Sequence, residues 1–196
     1  MVDPASLWAD YQGALEAAPL LTKSITAAVL FSGADLCAQQ LERSKAEEPK
    51  DLEFARSARF FALGLFAQAP WNHYFYMYLD KALPPTEEVF TSTTAIKLAL
   101  DQGVQAPIFT VIIFAFLGLL EGKSLAEVKQ KLNESYGSTM IANWKLWIPA
   151  SFVNLAFCPP PLRVLFTNVV FFCWSIFLSI VVNAPQKDTE EAASDK

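Results

Sequence analysis

The chain has 196 residues, a formal net charge of −5, and 20 Asp and Glu against 15 Lys and Arg, so it lacks the basic balance of a nucleic-acid binder. Apolar residues make up 53% and charged residues only 18%, below the roughly 25% charged residues of soluble domains. A chain so short of charge does not suit water, and a bilayer supplies the apolar solvent it needs.

No Lys or Arg precedes Lys23, whereas Asp3, Asp10 and Glu16 do. A mitochondrial leader is basic and poor in acids, and a secretory signal begins with positive charge before an apolar run. Neither pattern is present, so targeting is expected to reside in the mature helices. The last residues match neither the Ser-Lys-Leu nor the Lys-Asp-Glu-Leu address.

Asp3 followed by Pro4 marks a helix start, with Asp as N-cap and Pro in the first turn. Leu7, Trp8, Tyr11, Leu15 and Ala18 fall on one face of it, which predicts a short helix at the membrane surface anchored by Trp8 and Tyr11. A first apolar segment covers residues 20–41, where Ser24, Ala28 and Ser32 have the small-residue spacing that lets helices approach closely. A charged linker, residues 42–53, follows. The second segment, residues 56–79, ends in the aromatic cluster Trp71, Tyr74, Phe75, Tyr76 and Tyr78, and Pro84-Pro85 breaks the chain.

The third segment, residues 93–120, has a small-residue ridge (Ala95, Ala99, Gly103) nearly opposite a polar row (Lys97, Asp101, Gln105), which predicts a central helix specialised on both sides. After Gly122, Ser124-x-x-Glu127 reads as a capping box. Leu125, Val128, Leu132 and Tyr136 then predict a second surface helix ending at Gly137. A fourth apolar stretch, residues 141–157, holds Trp144 and Trp147 as interface anchors. Pro159-Pro160-Pro161 separates it from residues 164–182, which carry no charge and nearly match a hydrocarbon core of ~30 Å.

The expected fold is therefore all-α: an integral membrane bundle of four to five kinked transmembrane helices with short interfacial helices. Residues 1–183 form one membrane-embedded domain, and residues 184–196 a disordered polar tail. The Lys and Arg of the first linker region (Arg43, Lys45, Lys50, Arg56, Arg59) and of the third (Lys123, Lys129, Lys131) place those linkers on one side, matrix-like or cytosol-like. Cys37, Cys158 and Cys173 lack metal or redox spacing and are expected to pack as small apolar residues.

Ionisable groups within spans cost roughly 2.5–3.5 kcal/mol each near a helix centre, so Asp35 and Asp101 need explaining. Asp35 comes late in the first segment and Asp101 early in the third, which runs parallel to it, so the two should lie at different depths. Two polar layers are expected: Asp35 with Gln39 and Arg59, and Asp101 with Lys97, Gln102 and His73. Lys97 and Asp101 have the spacing to pair within one helix. The layers read either as a polar pathway or as interhelical glue. Pro70, Pro107 and Pro149 each remove a backbone donor inside an apolar stretch and are expected to kink it, freeing carbonyls at Phe66, Gly103 and Lys145. His73 is the single histidine. It has no partners for a metal site, and no nucleotide, dinucleotide or zinc-protease motif occurs, so neither an enzyme nor a cofactor is expected.

Several of these stretches resemble the twenty-two-kilodalton peroxisomal membrane protein family, which includes the Mpv-seventeen-like proteins of the mitochondrial inner membrane. The likeness is carried by Trp8-x-x-Tyr11, Leu15, Pro19, Thr22 and Asp35-x-x-x-Gln39, then by Arg56-x-x-Arg59, Gly64 and Pro70-x-x-His73-x-x-Tyr76-x-x-Leu79. Lys97-x-x-x-Asp101-Gln102-x-x-x-x-Pro107 and Glu121-Gly122-Lys123-Ser124 continue it. The run from Asn143 to Pro149, with Asn154, Pro159 and Arg163, completes it and adds Asn143, Asn154 and Arg163 to the polar-layer candidates. The chain departs from the family in having Ala34 and Ala69 where glycine is usual, Ser151 in place of Gln, and Leu155 in place of Phe.

What the resemblance implies is a small multispanning organelle protein forming a weakly selective channel for small solutes, with links to reactive-oxygen handling and mitochondrial nucleotide supply. Its expected partners are the lipid bilayer, small solutes and a homo-oligomer of itself, with no nucleic acid. The mitochondrial inner membrane is placed ahead of the peroxisomal membrane. The rivals are a non-conducting structural or adaptor protein and an intramembrane enzyme using Asp35 or Asp101 as base.

Overall fold

A computed structural model describes residues 3–47, 51–84, 88, 91–156 and 163–184. The described residues build an all-α membrane bundle. Helix α1 (Pro4–Ala17) starts on its proline, with the Leu7 N–H and the Ser6 hydroxyl both bonded to the Asp3 carbonyl. It turns through Ala18 into α2 (Pro19–Lys45). The Tyr11 hydroxyl meets the Thr26 hydroxyl at 3.1 Å, and the Thr22 hydroxyl donates to the Ala14 carbonyl, so α1 is fixed on α2. Trp8 stays exposed.

The second segment is α3 (Phe54–Ala62), a π-helical stretch (Leu63–Gln68) and α4 (Ala69–Ala82). The third repeats this plan: α5 (Ser92–Leu100), a π-helical stretch (Asp101–Gln105) and α6 (Ala106–Leu120). Helices α7 (Leu125–Ala156) and α8 (Arg163–Asn183) complete the bundle. Pro19–Lys45, Ser92–Leu120 and Phe166–Asn183 are long and apolar enough to cross a membrane. The unit Phe54–Ala82 and α7 are long enough but more polar.

Close packing begins where the small residues predict it. A Cβ built on Gly64 would lie 2.6 Å from the backbone of Ala27 and Ala28, so only glycine lets the first π stretch sit directly on α2. Around this contact Phe31, Phe60, Leu63, Phe109, Phe114, Trp174 and Leu178 interdigitate as the core. Phe31 meets Phe171 edge-on at 5.0 Å, and Trp71 stacks on Phe109 at 6.1 Å.

The turn between α6 and α7 uses Gly122 at φ +85°, a left-handed conformation that glycine adopts without a Cβ penalty. The expected capping box closes there: the Ser124 N–H and hydroxyl both donate to Glu127 Oε2, at 2.8 and 2.6 Å, and the Glu127 N–H returns to the Ser124 hydroxyl at 3.3 Å. One turn later Lys131 is drawn into the bundle, where its ammonium donates to the Ala184 carbonyl just beyond α8. Burial pushes the Lys131 pKa down. Because Ser179 of the same helix bonds Arg56 at the first linker and Ala184 bonds Lys131 near the third, those two linkers lie at one end of the bundle.

Several expectations are corrected. The second surface helix does not end at Gly137; α7 runs unbroken for 32 residues through Gly137 and Pro149, about 48 Å on the helical rise. A glycine costs a helix only about 1 kcal/mol, less than the several kcal/mol of leaving backbone groups unpaired in lipid. The ridge of Ala95, Ala99 and Gly103 faces outward instead of packing. Cys37 and Cys173 are likewise on the outer surface. Cys158, Pro85, the Pro159–Pro161 break and the tail beyond residue 184 lie outside the described residues.

Candidate functional site

The first polar layer is centred on Asp35, which is fully buried. Asp35, Gln39 and Glu42 share one face of α2 because their spacing follows the helical period. Asp35 Oδ1 accepts from Arg56 Nε at 2.8 Å and from the Ser179 hydroxyl at 2.6 Å. Its Oδ2 accepts from Gln39 Nε2 at 2.8 Å and from the Ser57 hydroxyl at 2.6 Å. Arg56 then turns its fork outward, donating from Nη1 and Nη2 to the two carboxylate oxygens of Glu42 at 2.7 and 2.9 Å. One guanidinium thus joins two carboxylates, and α2, α3 and α8 are locked through it. Gln39 extends the network by accepting the Glu53 N–H at 2.7 Å and donating to the Glu53 carbonyl at 3.1 Å.

Arg56, not Arg59, is therefore the partner of Asp35. Three residues separate the two on α3, and that rotation carries Arg56 inward while Arg59 stays half-buried. Ser179 joins this layer from an apolar run that gives no sign of it by hydropathy. Its signal was the pair Ser175 and Ser179, both fully buried one turn apart on the inner face of α8. Glu42 lies where hydropathy falls and the linker is expected to begin, yet α2 continues past it to Lys45.

The second layer lies at the π stretch of the third segment, Asp101–Gln105. Asp101 accepts from the Tyr76 hydroxyl at 2.6 Å and from Gln102 Nε2 at 2.7 Å. Gln102 Oε1 accepts from Asn143 Nδ2 at 3.0 Å, and the Gln102 carbonyl accepts from the Trp144 indole at 2.9 Å. Gln105 Nε2 reaches Asn72 Oδ1 at 2.8 Å. Lys97 does not pair with Asp101. It bonds Asp80 of α4 at 2.6 Å. His73 does not join the layer; its ring stands edge-on to Tyr74 at 5.3 Å. Trp144 ties two helices together, and Trp147 packs half-buried against the core. The side chains of Asn154 and Arg163 lie outside what is described.

Pro70 and Pro107 each follow a π stretch, and this explains how the bundle accommodates them. The Ala106 N–H bonds the Asp101 carbonyl, five residues back. Pro107 has no N–H, so the Gln102 carbonyl loses both its α and its π partner, and the Trp144 indole takes their place. At Pro70 the Ala69 N–H similarly bonds the Gly64 carbonyl, which frees the Leu65 carbonyl. The freed groups are Gln102 and Leu65, one residue before those expected, because the backbone shifts register into π geometry. Pro149 sits inside continuous α7.

The aromatic core, including Phe31, Phe60, Phe109 and Trp174, lies between the two layers. Among the described residues no group of three or more His, Cys, Asp or Glu side chains is placed to hold a metal ion. Against known proteins, residues 118–179 match the model of the Mpv17 / PMP22 family. PXMP2/4 family protein 4 of Dictyostelium discoideum is 33% identical over 86% of this chain and 89% of its own length. Protein sym-1 of Neurospora crassa is 32% identical over 86% of this chain and 95% of its own. Peroxisomal membrane protein 2 of Bos taurus is 28% identical over 90% of this chain and 89% of its own. No solved structure matches the chain.

Proposed function

The chain belongs to the Mpv17 / PMP22 family, and from that premise we propose that it forms a permeation pathway for small solutes across an organelle membrane. The observation that carries this reading is the pair of polar layers, the first centred on the fully buried Asp35 and the second holding the buried Gln102, Gln105 and Asn143 beside a more exposed Asp101–Tyr76 pair. Charges such as Asp35 and Arg56 are costly in a membrane bundle, and in membrane proteins they mark solute and ion routes. The aromatic core between the layers closes the route in this conformation. On this reading, conduction requires the second and third segments to bend at their π–proline joints, Leu63–Gln68 and Asp101–Gln105, where hydrogen bonding is already interrupted.

The protein acts without a chemical step on this proposal, and it bears on reactive-oxygen and nucleotide balance only through what it lets pass. The mitochondrial inner membrane is placed first as its location. The name of the bovine relative supports the peroxisomal membrane as the alternative.

The second reading, a structural or adaptor protein, draws on the complete pairing of Asp35, which is what interhelical glue requires. Purified protein in planar bilayers separates the two. A permeation pathway gives conductance whose ion preference changes on Asp35→Asn or Asp101→Asn. Silence across a range of small solutes favours the adaptor.

A further inference from the structure

Between the two polar layers lies a third level that no ion pair marks. Helix α7 starts and α8 ends at the same end of the bundle, where the Lys131 ammonium donates to the Ala184 carbonyl. The two helices are therefore antiparallel, and depth can be counted along each from that contact. On the helical rise, Ser179 of the first layer lies about 8 Å in, and Asn143 of the second about 18 Å in. Ser175 and Thr139 fall between them, at about 14 and 12 Å. Thr110 of α6 joins the same level, its hydroxyl 3.3 Å from the sulfur of Met140. All three are buried, Thr139 and Ser175 completely.

The three hydroxyls do not behave alike. Ser175 donates to the Phe171 carbonyl and Thr110 to the Ala106 carbonyl, each at 2.8 Å and four residues back. That is the bond a helical serine or threonine makes when nothing else is offered. Thr139 does not make it. The Ser138 hydroxyl takes the Ser135 carbonyl at 3.0 Å, and the Thr139 hydroxyl has no hydrogen-bond partner among the described residues. A buried hydroxyl in that state costs roughly 1–3 kcal/mol. The Trp71 indole N–H, likewise buried without a partner, stands at this level too, its ring stacked on Phe109 beside Thr110.

We infer that Thr139 and Ser175 form the middle station of the pathway, at the α7–α8 interface, where a small polyol-type solute exchanges hydrogen bonds between the two layers. This inference rests on the permeation reading above. Ser179 to Ser175 is one turn of α8, and Thr139 to Asn143 is one turn of α7, so polar groups descend through the aromatic core in steps of about 6 Å. The Thr139 hydroxyl offers a donor and an acceptor, and the Ser175 oxygen, its proton already engaged, offers an acceptor. A solute hydroxyl, which both donates and accepts, matches that set. The station itself holds no charge, so it acts on hydrogen bonding and leaves ion preference to Asp35 and Asp101.

The test reconstitutes the full chain and Thr139→Val, which keeps the side-chain shape and removes the hydroxyl, in liposomes and planar bilayers. Glycerol influx, read by liposome swelling, should fall about two- to tenfold, the worth of one hydrogen bond, while ion preference stays that of the wild type. Unchanged influx with a raised melting temperature is what a merely structural Thr139 gives, and it overturns the station while leaving the pathway standing. Wild-type protein that conducts ions but admits no glycerol overturns the station in the same way; protein that passes neither overturns both. Water access is read separately with Thr139→Cys in a chain carrying Cys37→Ala, Cys158→Ala and Cys173→Ala. Its thiol should react with 2-aminoethyl methanethiosulfonate roughly tenfold faster than that of Ile141→Cys on the outer face, because the reacting thiolate needs water. Equal or slower reaction at residue 139 overturns the station.

Discussion

The indole N–H of Trp144 donates to the main-chain carbonyl of Gln102 at 2.9 Å, supplying the bond that the following π geometry and Pro107 withhold. A side chain on α7 thereby completes the backbone of the third segment. The pairing couples the position of α7 to the shape of the π joint, next to the Asn143–Gln102–Asp101 chain.

Trp144→Phe keeps the aromatic bulk and removes this donor. The Gln102 carbonyl is left unpaired, at a cost of about 1–3 kcal/mol. Thermal unfolding in detergent micelles should show a lowered midpoint. An unshifted midpoint would mean that the carbonyl finds another donor.

Arg56 and Arg59 separate cleanly by experiment. Arg56→Gln leaves Asp35 buried without its counter-charge and should destabilise the protein by about 3–5 kcal/mol. Arg59→Gln should cost less than about 1 kcal/mol. Arg56→Lys should not restore stability, because an ammonium cannot reach Asp35 and both Glu42 oxygens with one planar fork. Equal losses at the two arginines would contradict the assignment.

The glycines give a steric contrast. Gly64→Ala drives a Cβ into the α2 backbone at 2.6 Å and should cost about 1–3 kcal/mol or prevent folding. Gly103→Ala meets nothing within 4 Å and should be neutral or stabilising, by up to about 1 kcal/mol. Comparing folded yield and melting temperature of the two variants is sufficient.

At the start of α7, the Ser124 hydroxyl and then its N–H hold the Glu127 carboxyl below its ordinary pKa. A depressed native value means the cap is fully formed above the unfolded-state pKa and is lost as pH falls through the lower native one. The Glu127 side-chain carbonyl resonance in micelles should titrate at a lower pH than in Ser124→Ala. Coincident titrations would remove the capping box as the cause.

Local sequence signals carried well into the structure. The Asp3-Pro4 start, the Ser124–Glu127 box and the small residues of α2 each depend on neighbours within a few positions, so spacing alone locates them. Gly137 misled for the same reason. It is a local helix-ending signal, overridden by the need to keep backbone bonds closed where water is absent.

By itself the sequence determined that lipid surrounds this chain, which stretches are helical, and that Asp35 and Asp101 belong to separate levels. Those follow from hydropathy and from counting turns. Only the tertiary structure decided that Arg56 faces Asp35, that Tyr76 and Asn143 reach the second layer, and that Lys97 prefers Asp80. Each of those pairings depends on how one helix is rotated and shifted against another. A π stretch changes that rotation by inserting an extra residue into a turn, and no spacing rule confined to a single helix can report it.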